Sequence, residues 1–280
     1  MTSGAQPVRQ RLVDTAVGRI LREGMTVGLD HLSLEAVIAE AGVSRATAYR
    51  HWPNKAEFLR EVLVTTVRRT RLEAESDDEI ADLDALLAAR ADSLTSPQGR
   101  RNLVVEALRR AADADLRRVA SSPTWQTYLA LAATCRGLPA SGLRDDVAAA
   151  LAATDARFAR QRAEVYRNLA RLIGYRLVSP LAEPWGYDTM ATAAGAVMTG
   201  LAVTAAAQPE LATATRDLAP FDSTEPAPWT TPALLLAGTI LSHIEPDPDL
   251  TWDGARIELS LTTLAEMRAM VDRLRAEHPD

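Results

Sequence analysis

An all-α protein is predicted from three features of the sequence. Apolar residues recur at spacings of three and four, no alternating run is long enough to count as a strand, and Pro- or Gly-containing breaks separate the periodic stretches. The composition agrees, with 47% of residues apolar and much of that Ala and Leu. A chain of 280 residues has room for one small and one large domain. We divide it into 1–71, an N-terminal helix-turn-helix domain, and 72–280, a larger helical domain, with no internal repeat.

The stretch from Ser33 to Leu59, SLEAVIAEAGVSRATAYRHWPNKAEFL, sets the first boundary. Ser33 is an N-cap residue type, its hydroxyl able to accept from an orphan N–H at a helix start. Leu34, Val37, Ile38 and Ala41 then form one apolar stripe. Gly42 ends that helix, because glycine takes a left-handed conformation without steric cost. Val43 is expected to be buried in the turn, and Ser44 to cap a second helix from Arg45 to about Trp52. Pro53 stops it by disfavouring helical geometry at the preceding residue. Two turns of helix hardly stand alone, so Ala48 and Trp52 should face inward, leaving Arg45, Thr47, Tyr49 and Arg50 outside. Two helices joined by a short Gly turn, the second positive on its free face, describe a helix-turn-helix. Such a second helix fits the DNA major groove. Spacing alone leaves an ordinary helical turn equally open.

Further helices follow in order. A fourth runs from near Asn54 to about Glu75, with SDDE over 76–79 either a polar break or the cap of the next helix. Leu83, Leu86 and Leu87 mark the next, and Leu103, Val104, Ala107 and Leu108 another after a Pro97–Gly99 break. One follows Pro123, with Trp125, Tyr128, Leu129 and Ala132. The longest pattern spans about Asp145 to Val178, with Val147, Leu151, Phe158, Val165, Leu169, Leu172 and Ile173 on one side. After a Pro180–Pro184 break come a small-residue helix, Tyr187–Ala207, a Pro-rich loop over 220–232, and a helix from Thr231 to Ile244. An acidic linker, 245–253, leads to a last amphipathic helix over about 254–277.

Charge divides the chain as the helices do. Residues 1–71 carry eleven Lys/Arg against seven Asp/Glu, a net of +4, whereas 72–280 carry twenty against thirty, a net of −10. The basic end is where a polyanion should bind, with strong salt dependence. The single Cys135 excludes an internal disulfide and fits a reducing, cytoplasmic setting. The polar start MTSGAQPVRQ shows no signal peptide. Apolar runs such as Pro232–Leu241 fall short of the ~20 residues that span a bilayer, so no membrane partner is expected. Nothing points to an enzyme or to a catalytic residue. The histidines (His31, His51, His243, His278) lack repeated metal spacing, and there is no G-x-S-x-G or phosphate-binding glycine loop. No metal or cofactor is expected.

From Arg11 to about Val67 the sequence resembles the N-terminal domain of the tetracycline-repressor (TetR) family of transcriptional regulators. The resemblance rests on Gly24, Ser33, Ala41-Gly42-Val43-Ser44, Thr47, Tyr49, Trp52 and Asn54-Lys55, in that order, over about a fifth of the chain. Two departures stand out. The Gly24–Ser33 link looks a few residues longer than usual, and Ala46 and Ala48 are smaller than the residues often found there. The resemblance implies a DNA-binding regulator, a homodimer on a near-palindromic double-stranded operator, with a helical ligand-binding and dimerisation domain behind it.

Roles follow from chemistry and from matching positions. Arg45 suits bidentate pairing with guanine O6 and N7, and Ala46 and Thr47 suit a thymine methyl or a nearby phosphate. Tyr49, Ser33, His51 and Lys55, the last being the only lysine in the chain, suit phosphate contacts that fix register. Arg50 fits either role. Capping alone accounts equally well for Ser33 and for Ser44, which is also a candidate DNA contact. The nearly uncharged Tyr187–Ala207 and Thr231–Ile244 helices are candidates for the dimer interface. A small apolar or aromatic effector is expected if Trp125, Tyr128, Phe158, Tyr166 and Trp185 line a cavity. Plain core packing explains the same residues, and a protein partner in place of a small molecule stays open.

Overall fold

The structure is a computed structural model that describes residues 7–24, 33–71, 77–138, 142–182 and 186–263. Most of the Gly24–Ser33 link, Trp185 and the last helix beyond residue 263 fall outside the described residues. The chain begins with α1 (Val8–Glu23), α2 (Leu34–Ala41), α3 (Arg45–His51) and α4 (Lys55–Arg69). It continues through α5 (Asp77–Ala89), α6 (Pro97–Ser121), α7 (Pro123–Thr134) and α8 (Gly142–Leu172), then strand β1 (Tyr175–Leu177). Helix α9 (Gly186–Ala207) and the short α10 (Glu210–Thr213) precede β2 (Thr215–Leu218) and β3 (Ala227–Thr230). Helix α11 (Thr231–Leu241), β4 (Ile244–Pro246) and α12 (residues 254–263) complete the described chain.

The fold is all-α in its mass, as the periodicity predicts, but the expectation of no strands is corrected. Antiparallel pairs β1–β4 and β2–β3 are present among the described residues. Each strand has three or four residues, too few for alternation to show in sequence, and all follow a helix or a turn. The expected loop over 220–232 therefore contains β3, registered against β2 from Thr215↔Thr230 to Leu218↔Ala227.

Two compact units divide the chain. The first comprises Met1–Leu72 with Val119–Phe158, the second Glu73–Arg118 with Ala159–Asp280. In the first, α1 is the hub. Its Leu12, Val13, Ala16 and Ile20 are buried, and it packs against α2, α3, α4 and α7. Helix α4 ends at Arg69, short of the expected Glu75. Thr70 is its C-cap, and its last carbonyls are taken by α8: Arg157 Nη2 donates to Thr70 O at 2.6 Å, and Thr154 Oγ1 to Val67 O at 3.5 Å. Val67 O also accepts the Thr70 N–H at 3.2 Å, so the end of the helix is met both by its own cap and by a tertiary partner.

In the second unit, Leu86, Leu87, Leu94 and Leu103 form a cluster that Ile257 and Leu261 of α12 cover. Residues 97–99, expected to be a break, are instead the first turn of α6. Ser96 Oγ accepts the Gly99 N–H at 2.9 Å, and Pro97 occupies a position whose N–H would be unpaired anyway. Helix α8 stops at Leu172, not Val178, because Gly174 turns left-handed (φ +70°) and the indole of Trp252 lies where a Cβ would sit, 2.6 Å away. Val165, expected on its apolar side, is 49% exposed. Helices α9 and α11 pack on each other, and Met190, Ala194 and Met198 of the first and Leu236 and Ile240 of the second are buried. Helix α9 also corrects the reading of apolar length. At 22 residues it is long and apolar enough to cross a membrane by length and composition, because many small Ala and Gly residues sum to what no single run suggests.

Candidate nucleic-acid interface

Local chemistry builds the α2–α3 turn. Ser33 Oγ accepts the Ala36 N–H at 3.4 Å and caps α2, and Gly42 closes it in the left-handed region (φ 64°, ψ 37°). The Val43 N–H then donates to Ile38 O at 3.1 Å, satisfying an end carbonyl. Ser44 Oγ accepts the Thr47 N–H at 3.2 Å and lies 2.9 Å from Thr47 Oγ1, so α3 starts with a side-chain cap. Val43 is half-buried in the turn.

Helix α3 is held from beneath. Ala48 is fully buried and Trp52 is 2% exposed. The Trp52 ring meets Phe58 of α4 edge-on at 5.2 Å, and its Nε1 donates to Glu61 Oε2 at 2.7 Å. Arg9 of α1 donates to the same oxygen, from Nη2 at 2.7 Å. Glu61 thus ties α3, α1 and α4 to one carboxylate. Asn54 Oδ1 caps α4 by accepting the Glu57 N–H at 3.0 Å, which places Lys55 in its first turn.

The opposite face of α3 is open and basic. Arg45, Ala46, Tyr49, Arg50 and His51 are exposed, as is Lys55, and Thr47 is half-buried. One acid sits among them. Glu35 accepts from the Tyr49 hydroxyl at 2.7 Å and from Ser33 Oγ at 3.0 Å. The Tyr49 bond, with those from its own backbone and Ser33, holds the Glu35 carboxyl below its ordinary range. The same bond raises the Tyr49 phenol above its ordinary value.

Sequence reading missed Glu35 and Glu61. An acid in the first turn of α2 reads as a complement to the helix dipole, and Tyr49 lies 14 residues away across the turn. Glu61 had a faint signal, since a buried tryptophan needs an acceptor.

Residues 22–62 match the family described as bacterial regulatory proteins, tetR family. The chain carries a TetR-family N-terminal domain. Over 51 residues, 18% of this chain and 24% of the relative, it is 41% identical to an uncharacterized HTH-type transcriptional regulator of Mycobacterium tuberculosis. Over 97 residues, 34% of this chain, it is 29% identical to two proteins of Pseudomonas putida. They are the HTH-type transcriptional regulator SrpR, covered over 44% of its length, and the uncharacterized HTH-type transcriptional regulator TtgW, covered over 69%. The chain thus spans about a quarter of the mycobacterial relative, and no solved structure matches it. The TetR-type helix-turn-helix is the α2–α3 pair.

Three of the five expected ligand residues meet. Trp125 and Tyr128 of α7 and Phe158 of α8 come together in the first unit, each at most 4% exposed, with ring centroids 5.3–5.9 Å apart. Their rings pack against one another. Tyr166 belongs to the second unit, where burial pushes its phenol up to about 12. Trp185 is outside the described residues. Among the described residues, no group of three or more His, Cys, Asp or Glu side chains is placed to hold a metal ion.

Proposed function

We propose that the protein is a sequence-specific, DNA-binding transcriptional regulator, acting as a dimeric repressor that a small-molecule effector releases from a near-palindromic operator. One observation carries this reading: α3 presents Arg45, Ala46, Thr47, Tyr49 and Arg50 on a free face while Ala48, Trp52 and Glu61 fix its underside. A rigidly seated, positive helix of this length suits the major groove, where its early residues reach base edges. Arg45 is the base reader in this reading, and Lys55, at the N-terminal turn of α4, is a phosphate anchor.

Dimerisation is supported by α9 and α11. Apart from Asp188 in the first turn of α9, their outward residues are uncharged and include Val203 and Leu235, each 49% exposed, next to small residues that let a second copy approach closely. A two-fold dimer presents two α3 helices to successive major grooves, about 34–36 Å apart, which calls for a near-palindrome. Release requires an effector that binds one subunit arrangement better than the other, whatever its absolute affinity. Selection of binding sites from random duplexes, followed by salt titration of the best site, tests the reading. A preferred near-palindrome with a steep salt slope is expected, and no sequence preference would overturn it.

A further inference from the structure

The second unit contains a cavity of about 170 Å³ between one face of α6 and the segment leading into β3. Its wall is pinned at both ends. Asn102, 6% exposed, donates from Nδ2 to Thr224 Oγ1 and Glu225 Oε1, both at 3.0 Å, and accepts the Thr224 N–H at 3.0 Å. At the other end Arg109 Nη1 donates to Pro228 O at 3.1 Å, and Thr230 Oγ1 donates to Asp113 at 2.6 Å. Between these points Pro226 and Pro228 have no N–H to offer α6 and Ala227 has little bulk. The strand is held in place without filling the space beneath it.

Four charged side chains line the cavity as two pairs. Arg109 grips Glu106 with two bonds of 2.7 and 2.8 Å, both side chains largely buried. Arg90 pairs with Glu225, and both of these are more exposed. Burial opposes the charge on Glu106, but hydrogen bonds from Arg109 and Arg110 hold its carboxyl below the ordinary range.

Size and charge together restrict the occupant. A cavity of about 150 Å³ accepts benzene, so this one holds a single small ring or a short branched skeleton. An apolar molecule would strip water from charged groups and return no hydrogen bonds. A singly charged ligand meets both signs equally. A molecule carrying both signs can lay its anionic end toward a guanidinium and its cationic end toward a carboxylate.

We propose that this cavity binds a small zwitterion of α-amino-acid size. It deepens the regulatory reading, and its meaning as an effector site rests on that reading.

The test titrates the full-length protein with the α-amino acids from alanine to leucine, with their deaminated and decarboxylated counterparts (isovalerate and isobutylamine for valine), and with toluene. Ligand-observed NMR and thermal shift report binding. Saturable binding of at least one amino acid, severalfold tighter than its two counterparts and than toluene, is expected. Arg90→Gln leaves the lining net negative and should shift preference severalfold toward the amine. Glu225→Gln should shift it toward the carboxylate. Failure of every amino acid to bind, tighter binding of toluene or a single-charge counterpart, or an unchanged order in both folded variants overturns the proposal. Operator affinity is measured in parallel. Amino-acid binding that leaves it unchanged overturns the effector role alone, and absence of any operator preference overturns the regulator reading alone.

Discussion

Arg45 stands exposed on the first turn of α3, from which a recognition helix reaches base edges. Arg45→Ala is expected to relax specificity at one base pair for a cost of about 1–3 kcal/mol, read by competition among single-base variants of the selected site. Lys55→Ala should weaken all sequences alike and lower the salt slope by about one. Equal relaxation by both would contradict this division. Glu35 holds the Tyr49 and Ser33 hydroxyls that a phosphate would need, so a phosphate must displace a carboxylate to reach them. Glu35→Gln should therefore tighten DNA binding without sequence preference. It should also lower the Tyr49 titration midpoint, followed by ultraviolet absorbance, because the bond to Glu35 is the main cause of its elevation. The signs agree across pH. The raised Tyr49 contributes below its unfolded value and loses that contribution as pH rises through the folded one, whereas the depressed Glu35 loses its contribution as pH falls into the acid range. The bond spans neutral pH and is no switch there. Of these groups the capping serines are legible in sequence, since a cap and the N–H it accepts are three residues apart. Glu35 is not, because its partner lies across the turn.

At the scale of one element, α3 has seven residues and depends on its seat. Glu61 supplies the acceptor for the buried Trp52 N–H. Glu61→Ala should cost about 1–3 kcal/mol by leaving that donor unpaired, measured by denaturant unfolding, and should weaken DNA binding. Adding Trp52→Phe removes the orphaned donor, so the double variant should cost less than the sum of the two single ones. Strict additivity would show that the contact does not hold the helix. The Arg9 contribution is small in comparison, since that side chain is 57% exposed. Element ends were the least legible feature. Helix α4 stops where Arg157 and Thr154 of α8 meet its carbonyls, and α8 stops where Trp252 packs on Gly174. Each partner is more than 70 residues away from the end it defines.

For the whole molecule, the charge division predicts binding that weakens steeply with salt although the chain as a whole is acidic. The outward faces of α9 and α11 carry the dimer prediction. Val203→Asp and Leu235→Asp, at exposed positions where neither charge disturbs the core, should each dissociate the dimer in sedimentation equilibrium while circular dichroism stays unchanged. Operator affinity should fall with the loss of dimer. A monomeric wild-type protein would overturn this part of the reading.

By itself the sequence determined the helical class, the α2–Gly42–α3 turn with its caps, and the exposed and buried faces of the recognition helix. All of these depend on periodicity or on interactions within one or two helical turns. Tertiary structure decided what depends on partners distant in the chain. It set helix ends, short strands visible only by their pairing, and packing of Trp125, Tyr128 and Phe158 against one another. It also left a charged cavity under two prolines, in a stretch that reads in one dimension as a loop.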